Sequence, residues 1–268
     1  MTMNAKPAFS PRARSQRAHL IGPVFLVAAF LATLFTAIQP GSLSVGDLSQ
    51  QFRLMLTPRP AGADAVAVTS TPLRIGIVAG HYGNDSGAVC EDENGQATLT
   101  EADVNFKIAT LVKEGLEAKL GPRGYLVDLL QEFDTRLSGY NGVVLVSIHN
   151  DSCAYVNDQA TGFKVAAATD TRDVNRATRL TACLADRYQN VTGLTFHTGS
   201  VTDDMTKYHT FSEVSPATIA AIIETGFLNL DRDFLTKNTD KVAEGIVQGI
   251  LCFINNENVE PTPTPPLP

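Results

Sequence analysis

The 268-residue sequence has no tryptophan, only 5 histidines and 4 cysteines, and no cluster of lysine and arginine in its body. With a formal charge of -7 it lacks the basic patch that neutralises phosphates, and a nucleic-acid surface is excluded. No two cysteines stand at CxxC spacing, which removes a cysteine zinc site. The hydrophobic content of 44% beside 18% charged residues is too apolar for a disordered chain. What remains is an exported or soluble globular body long enough to bury a core.

The N-terminus decides between those two. Residues 1–19 carry Lys6, Arg12, Arg14 and Arg17 and no acidic residue, and residues 20–38 (LIGPVFLVAAFLATLFTAI) contain no charge. As a helix that stretch is roughly 28 Å long, close to the hydrocarbon thickness of a bilayer. The basic flank stays in the cytoplasm, so the expectation is a single-pass, N-in signal anchor with the following domain extracytoplasmic. A cleaved signal peptide and a secreted form are the rival, although the apolar stretch exceeds a usual signal core. Residues 39–72, rich in Pro, Gly, Ala, Ser and Thr, read as a flexible stalk, and residues 256–268 (NENVEPTPTPPLP in its context) as a disordered proline-rich tail. Cys90, Cys153, Cys183 and Cys252 then sit in an oxidising compartment, where an even count suggests disulfides in any of three pairings; four buried thiols are the alternative.

Residues 73–255 form one domain without visible repeats. LRIGIVAG, YLVDLL, GVVLVSI, GFKVAAAT and ATIAAIIETG read as strands, the fourth as a strand or edge hairpin. EADVNFKIATLVKEGLEAKLG, TRDVNRATRLTACLADRYQN and DKVAEGIVQGILCFIN read as helices, the first opened by a Thr100/Asp103 capping pair and stopped by Gly121-Pro122. Their alternation means an α/β domain with a largely parallel sheet.

Three of the buried strands run into chemistry: LRIGIVAG into His81, GVVLVSI into His149, and ATIAAII into Glu224. The carboxyl ends of parallel strands share one edge, where ligand sites gather. Glu101, opening the first helix, can project over the same edge. Taken singly, each has an ordinary reading: hydrogen-bonded loop histidines, a first-turn glutamate favoured by the helix dipole, a strand-end acid in an ion pair. Together, two histidines and a glutamate with an open position are a recurring ligand set for catalytic zinc, and a second glutamate is left to move a proton. His197 and His209, in a polar stretch that no buried strand delivers, read as solvated loop residues.

GHYGNDSG, LTEADVNFKIA, VSIHND and IIETGFLNLDRDFL, in that order, resemble the zinc-dependent N-acetylmuramoyl-L-alanine amidases of bacteria, the family often called amidase 3. The resemblance spans the whole domain. It implies a mixed, mostly parallel sheet of about six strands flanked by helices, with His81, Glu101 and His149 as ligands of Zn2+ and Glu224 as the catalytic acid/base. The implied substrate is peptidoglycan, cut between N-acetylmuramic acid and L-alanine. Alternatives are a non-catalytic wall-binding or regulatory protein on the same fold, or a zinc hydrolase of another exported amide. They are raised by departures: Val78-Ala79 where the family has Asp-Pro, Asn150-Asp151 where it has Ala-Asn, and a shortened QEFDTRLSGYN segment. Cys90 with Cys153 is the favoured pairing because each follows a ligand-bearing strand, and Cys183 with Cys252 because both lie on expected helices.

Overall fold

The computed structural model describes residues 72–169 and 171–259. The basic segment 1–19, the apolar segment 20–38, nearly all of the stalk and the end of the tail lie outside the described residues. Among the described residues no helix is long and apolar enough to cross a membrane.

Five strands form one sheet: β1 (Leu73–Ala79), β4 (Tyr125–Gln131), β5 (Val144–Asp151), β6 (Lys164–Ala167) and β7 (Ile219–Phe227). Their order is β4-β1-β5-β7-β6. All neighbours are parallel except β6, which runs antiparallel to β7 at the edge. The sixth strand implied by the family resemblance is not in this sheet. The only other strands among the described residues, β2 (Val89–Glu91) and β3 (Ala97–Thr100), pair with each other as a separate antiparallel hairpin. Only Cys90 of their residues is buried, and the Asp92 carboxylate closes their turn by accepting the N–H groups of Asn94 and Gln96.

Alternate residues of a strand face opposite sides, and here the two sides are covered unequally. Ile75, Ile77, Val144, Val146, Ile148, Ala221 and Ile223 pack beneath three long helices, α1 (Glu101–Leu120), α2 (Val174–Thr192) and α6 (Thr239–Ile254). Val78, Leu130, Leu145 and Ala220 instead meet Leu137, Tyr140 and Val214, and Ala166 and Ile222 meet Met205. This thin side is roofed by turns and by the short helices α3 (Asp203–Thr206) and α4 (His209–Glu213). A small helix α5 (Arg232–Lys237) precedes α6.

The helices start and stop where the sequence says. Thr100 caps α1 by accepting the Asp103 N–H at 3.2 Å, while its hydroxyl donates to the Asp103 carboxylate at 2.6 Å. Val104, Ile108, Val112, Leu116 and Leu120 line the buried face of α1, and each such side chain contributes about 1.5–3 kcal/mol on leaving water. Asp173 caps α2, and Gly193, at φ 75°, ends it. Both expected disulfides are present: Cys90–Cys153 ties the hairpin to the loop after β5, and Cys183–Cys252 ties α2 to α6.

Candidate metal centre

β1 delivers His81 at the carboxyl edge in an uncommon conformation. Its φ is 63°, the left-handed region that non-glycine residues avoid at a cost of about 1–3 kcal/mol. The turn is held by what surrounds it: the His81 N–H donates to Glu132 Oε2 at 2.5 Å, and its carbonyl accepts the N–H groups of Asn84 and Asp85. Nδ1 meets Asp85 Oδ1 at 2.7 Å, which leaves Nε2 facing Glu101 Oε2 at 3.4 Å.

His149 lies within β5 rather than beyond its end, because the strand continues to Asp151. It is buried, with Nδ1 3.3 Å from Glu101 Oε1 and Nε2 3.2 Å from the Tyr208 hydroxyl. The Glu101 carboxylate thus lies between the two imidazoles, and ligand atoms of His81, Glu101 and His149 all fall within 4.8 Å of one another. Two glycines leave room for this convergence. A Cβ on Gly80 would sit 2.3 Å from the His149 ring, and one on Gly87, at φ +58°, would sit 2.6 Å from Glu101 Oε2.

Glu101 is buried at the first position of α1 and fully hydrogen-bonded. Oε2 accepts from the Ala88 N–H at 3.0 Å; Oε1 accepts from the Asn150 N–H at 3.1 Å and from Asn105 Nδ2 at 3.2 Å. Asn150 Nδ2 in turn donates to Asn105 Oδ1 at 2.6 Å, and the Thr225 hydroxyl donates to Asn150 Oδ1. Burial pushes the Glu101 carboxyl up, but the hydrogen bond and charge of His149 and the Ala88 N–H outweigh it and hold it below the usual range. Burial likewise pulls the His149 imidazole down, and Glu101, with the charges of Glu224 and Glu132, more than offsets this, so it stays above its ordinary value.

Glu224 also lies inside its strand, since β7 runs on to Phe227. It stands beside His149 in the β5/β7 register and opposite Lys164 across β6/β7, on the thin side of the sheet. Oε2 is shut away from solvent with no hydrogen-bond partner. Burial raises this carboxyl to about 7; His149 and Lys164 pull it down and the charges of Glu101 and Asp151 push it up. Lys164 is itself buried and donates to Asp151 Oδ2 at 2.5 Å, so the two departures from the family pattern after His149 are occupied by Glu101's network (Asn150) and by this ion pair (Asp151).

Two expectations about histidines fare differently. His197 pairs through Nδ1 with Ser200 Oγ at 2.6 Å and takes no part in the cluster. His209 is not a solvated loop residue: α4 folds over the thin side and places its ring 4.3 Å from that of Phe133, stacked, with Nε2 3.5 Å from Glu132 Oε1. Sequence reasoning missed Glu132, Tyr208 and Asn105. The signal for Glu132 was available, because it directly follows the buried strand β4 as His81 follows β1, and a parallel strand delivers it to the same edge.

The model of the family described as N-acetylmuramoyl-L-alanine amidase matches residues 75–255. No curated protein matches the chain in sequence. Among solved structures, the chain is similar to the N-acetylmuramoyl-L-alanine amidase from Clostridium difficile 630, with TM-score 0.53 and 23% identity over 70% of this chain and 100% of that one. It is also similar to the CwlD amidase from Clostridioides difficile, solved in complex with the GerS lipoprotein, with TM-score 0.52 and 21% identity over 69% and 100%. At such identities these two likenesses speak for the fold.

Proposed function

Because the chain belongs to the N-acetylmuramoyl-L-alanine amidase family, and so hydrolyses the amide bond between N-acetylmuramic acid and L-alanine in peptidoglycan, we propose that it does so with zinc held by His81, Glu101 and His149 and with Glu224 as acid/base. The observation that carries this reading is the convergence of two imidazole nitrogens and one carboxylate within 4.8 Å. The donor chemistry fits zinc: two imidazoles and one carboxylate, with a further polar partner on the outer nitrogen of each ring. The bare glycine positions that a Cβ would fill support the same fit.

Zinc held by His81, Glu101 and His149 would supply a Lewis acid for the amide carbonyl and would make a water easier to deprotonate. Glu224 takes the proton from the attacking water and returns it to the alanine nitrogen as the C–N bond breaks. Its partnerless oxygen and raised pKa suit both halves of that exchange: the carboxylate is basic enough to accept the proton and acidic enough to give it up. Glu101, fixed by three N–H donors from Ala88, Asn105 and Asn150, holds its charge and does not shuttle protons.

Zinc content by elemental analysis and digestion of purified peptidoglycan test the reading together. Stoichiometric zinc and new L-alanine amino termini are expected. Absence of zinc, or products cut at another amide by mass, would sink it. The basic segment 1–19 followed by the uncharged 20–38 supports an N-in anchor with the domain outside the cytoplasm, and the two disulfides support a compartment in which thiols oxidise.

A further inference from the structure

A buried carboxylate that the mechanism does not use touches both histidines. Glu132, only 5% exposed, follows β4. Its Oε2 accepts the His81 backbone N–H at 2.5 Å, and its Oε1 accepts the Tyr208 hydroxyl at 3.1 Å. Tyr208 OH lies 3.2 Å from His149 Nε2, and the two rings meet edge-on with centroids 5.2 Å apart. A hydroxyl has one proton and can accept another. Since the Tyr208 proton goes to Glu132, the hydroxyl can only accept from His149, which requires the His149 proton on Nε2. With Nε2 committed to Tyr208, Nδ1, the nitrogen that faces Glu101 at 3.3 Å, is the one left for a metal ion, which would take the place of any proton shared there with Glu101.

We propose that Glu132 and Tyr208 are positioning residues for metal capture: one carboxylate holds His81 in its left-handed turn through the backbone and, through Tyr208, fixes the tautomer of His149. The inference rests on the zinc reading above. The two histidines come from separate strands, β1 and β5, and Glu132 comes from β4, on the far side of β1. A single anion therefore couples the backbone of one ligand to the ring of the other. His209, stacked on Phe133, brings Nε2 to 3.5 Å from Glu132 Oε1 on the outer side of this carboxylate. An outer partner that fixes a ligand histidine's tautomer typically changes metal affinity 10- to 100-fold when removed.

Tyr208→Phe keeps the ring against His149 and removes the hydroxyl; Glu132→Gln keeps the shape and removes the charge. Both should raise the zinc dissociation constant about 10- to 100-fold in competition with a chromogenic chelator. The thermal midpoint of metal-free Tyr208→Phe should stay near wild type. In ring-15N spectra, wild type should show one His149 tautomer with the proton on Nε2, and Tyr208→Phe a mixture. Unchanged zinc affinity in both variants overturns the proposal, and so does weakened affinity with an unchanged tautomer, because the loss would then be structural. If Glu132→Gln does not fold, Tyr208→Phe decides alone. A His149→Ala protein that still binds zinc like wild type would overturn the ligand assignment itself, a separate failure.

Discussion

Glu101 and Glu224 are chemically the same side chain on the same edge of the same sheet, and their surroundings differ in almost every respect. Glu101 enters from α1 on the helix-covered side, and each oxygen accepts from backbone or amide N–H groups. Glu224 enters from β7 on the thin side, with one oxygen that has no partner at all. The first environment favours a fixed negative charge and holds the carboxyl low; the second penalises charge and lifts the carboxyl to about 7. Hydrogen-bond supply, more than burial, separates the carboxylate suited to the proposed holding of an ion from the one suited to the proposed transfer of a proton. Glu101 is buried and Glu224 half-buried with one oxygen sealed off.

The sharpest way to break this comparison is to remove one member at a time. His149→Ala, acting on the holding side, should lose zinc and lower turnover by at least about 10³-fold, since several kcal/mol of carbonyl polarisation go with the metal. Glu224→Gln should retain stoichiometric zinc and lose about 10²- to 10⁴-fold in kcat; zinc loss in that variant would erase the distinction between the two glutamates. A step smaller are the disulfides. Replacing either pair by serines should lower stability by about 2–4 kcal/mol, but only the Cys90–Cys153 change, which frees the hairpin leading into Glu101, should also weaken zinc binding. Equal zinc affinity in both variants would show that the hairpin does not support the site. Gly87→Ala, which sets a Cβ 2.6 Å from Glu101 Oε2, should reduce zinc affinity about tenfold with kcat at saturating zinc little changed.

The smallest effect is in pH. The Glu224 carboxyl is raised from 4.5 to about 7, so ionising it in the metal-free fold costs stability: the contribution is intact below pH 4.5 and is lost as pH rises to about 7. Denaturant unfolding of metal-free protein at pH 5 and 8 should show this loss, at most about 3 kcal/mol, and Glu224→Gln should lack it. In the zinc-loaded enzyme a nearby divalent charge draws the carboxyl down, and the acid limb of kcat/KM should fall between pH 4.5 and 7. An acid limb unchanged in Glu224→Asp would point to another base.

Much of this was legible from apolar runs. Strands such as GVVLVSI are buried on both faces, so they are written as uninterrupted hydrophobic residues, and the polar residue that ends each run is conspicuous. That rule located His81, His149 and Glu224, and a helix start located Glu101. It placed the last residues slightly wrong, since His149 and Glu224 remain paired in β5 and β7, where alternation alone sends them to the thin face. The hairpin of β2 and β3 was invisible because VCE and ATLT are too short for a period, and the sixth strand came from family likeness rather than from any run in this chain. Tyr208 was illegible for a deeper reason: MTKYHTFSE has no hydrophobic period, and only the tertiary fold of α4 over the sheet gives its hydroxyl a partner. The disulfide pairing was readable because loops after neighbouring strands, and two helices on one face, are close by construction.

The strand order β4-β1-β5-β7-β6 has a consequence in time. The three residues proposed to hold the ion, together with Glu132, lie between residues 81 and 149 on β1, α1, β4 and β5, a block contiguous both in the sheet and along the chain. Glu224 arrives only with β7, near the C-terminal end of the domain. The proposed capture residues of the first block are therefore complete only when Tyr208 and Thr225 close on them from the same C-terminal part of the chain that carries Glu224, so holding the ion and moving the proton depend on one late-joining segment.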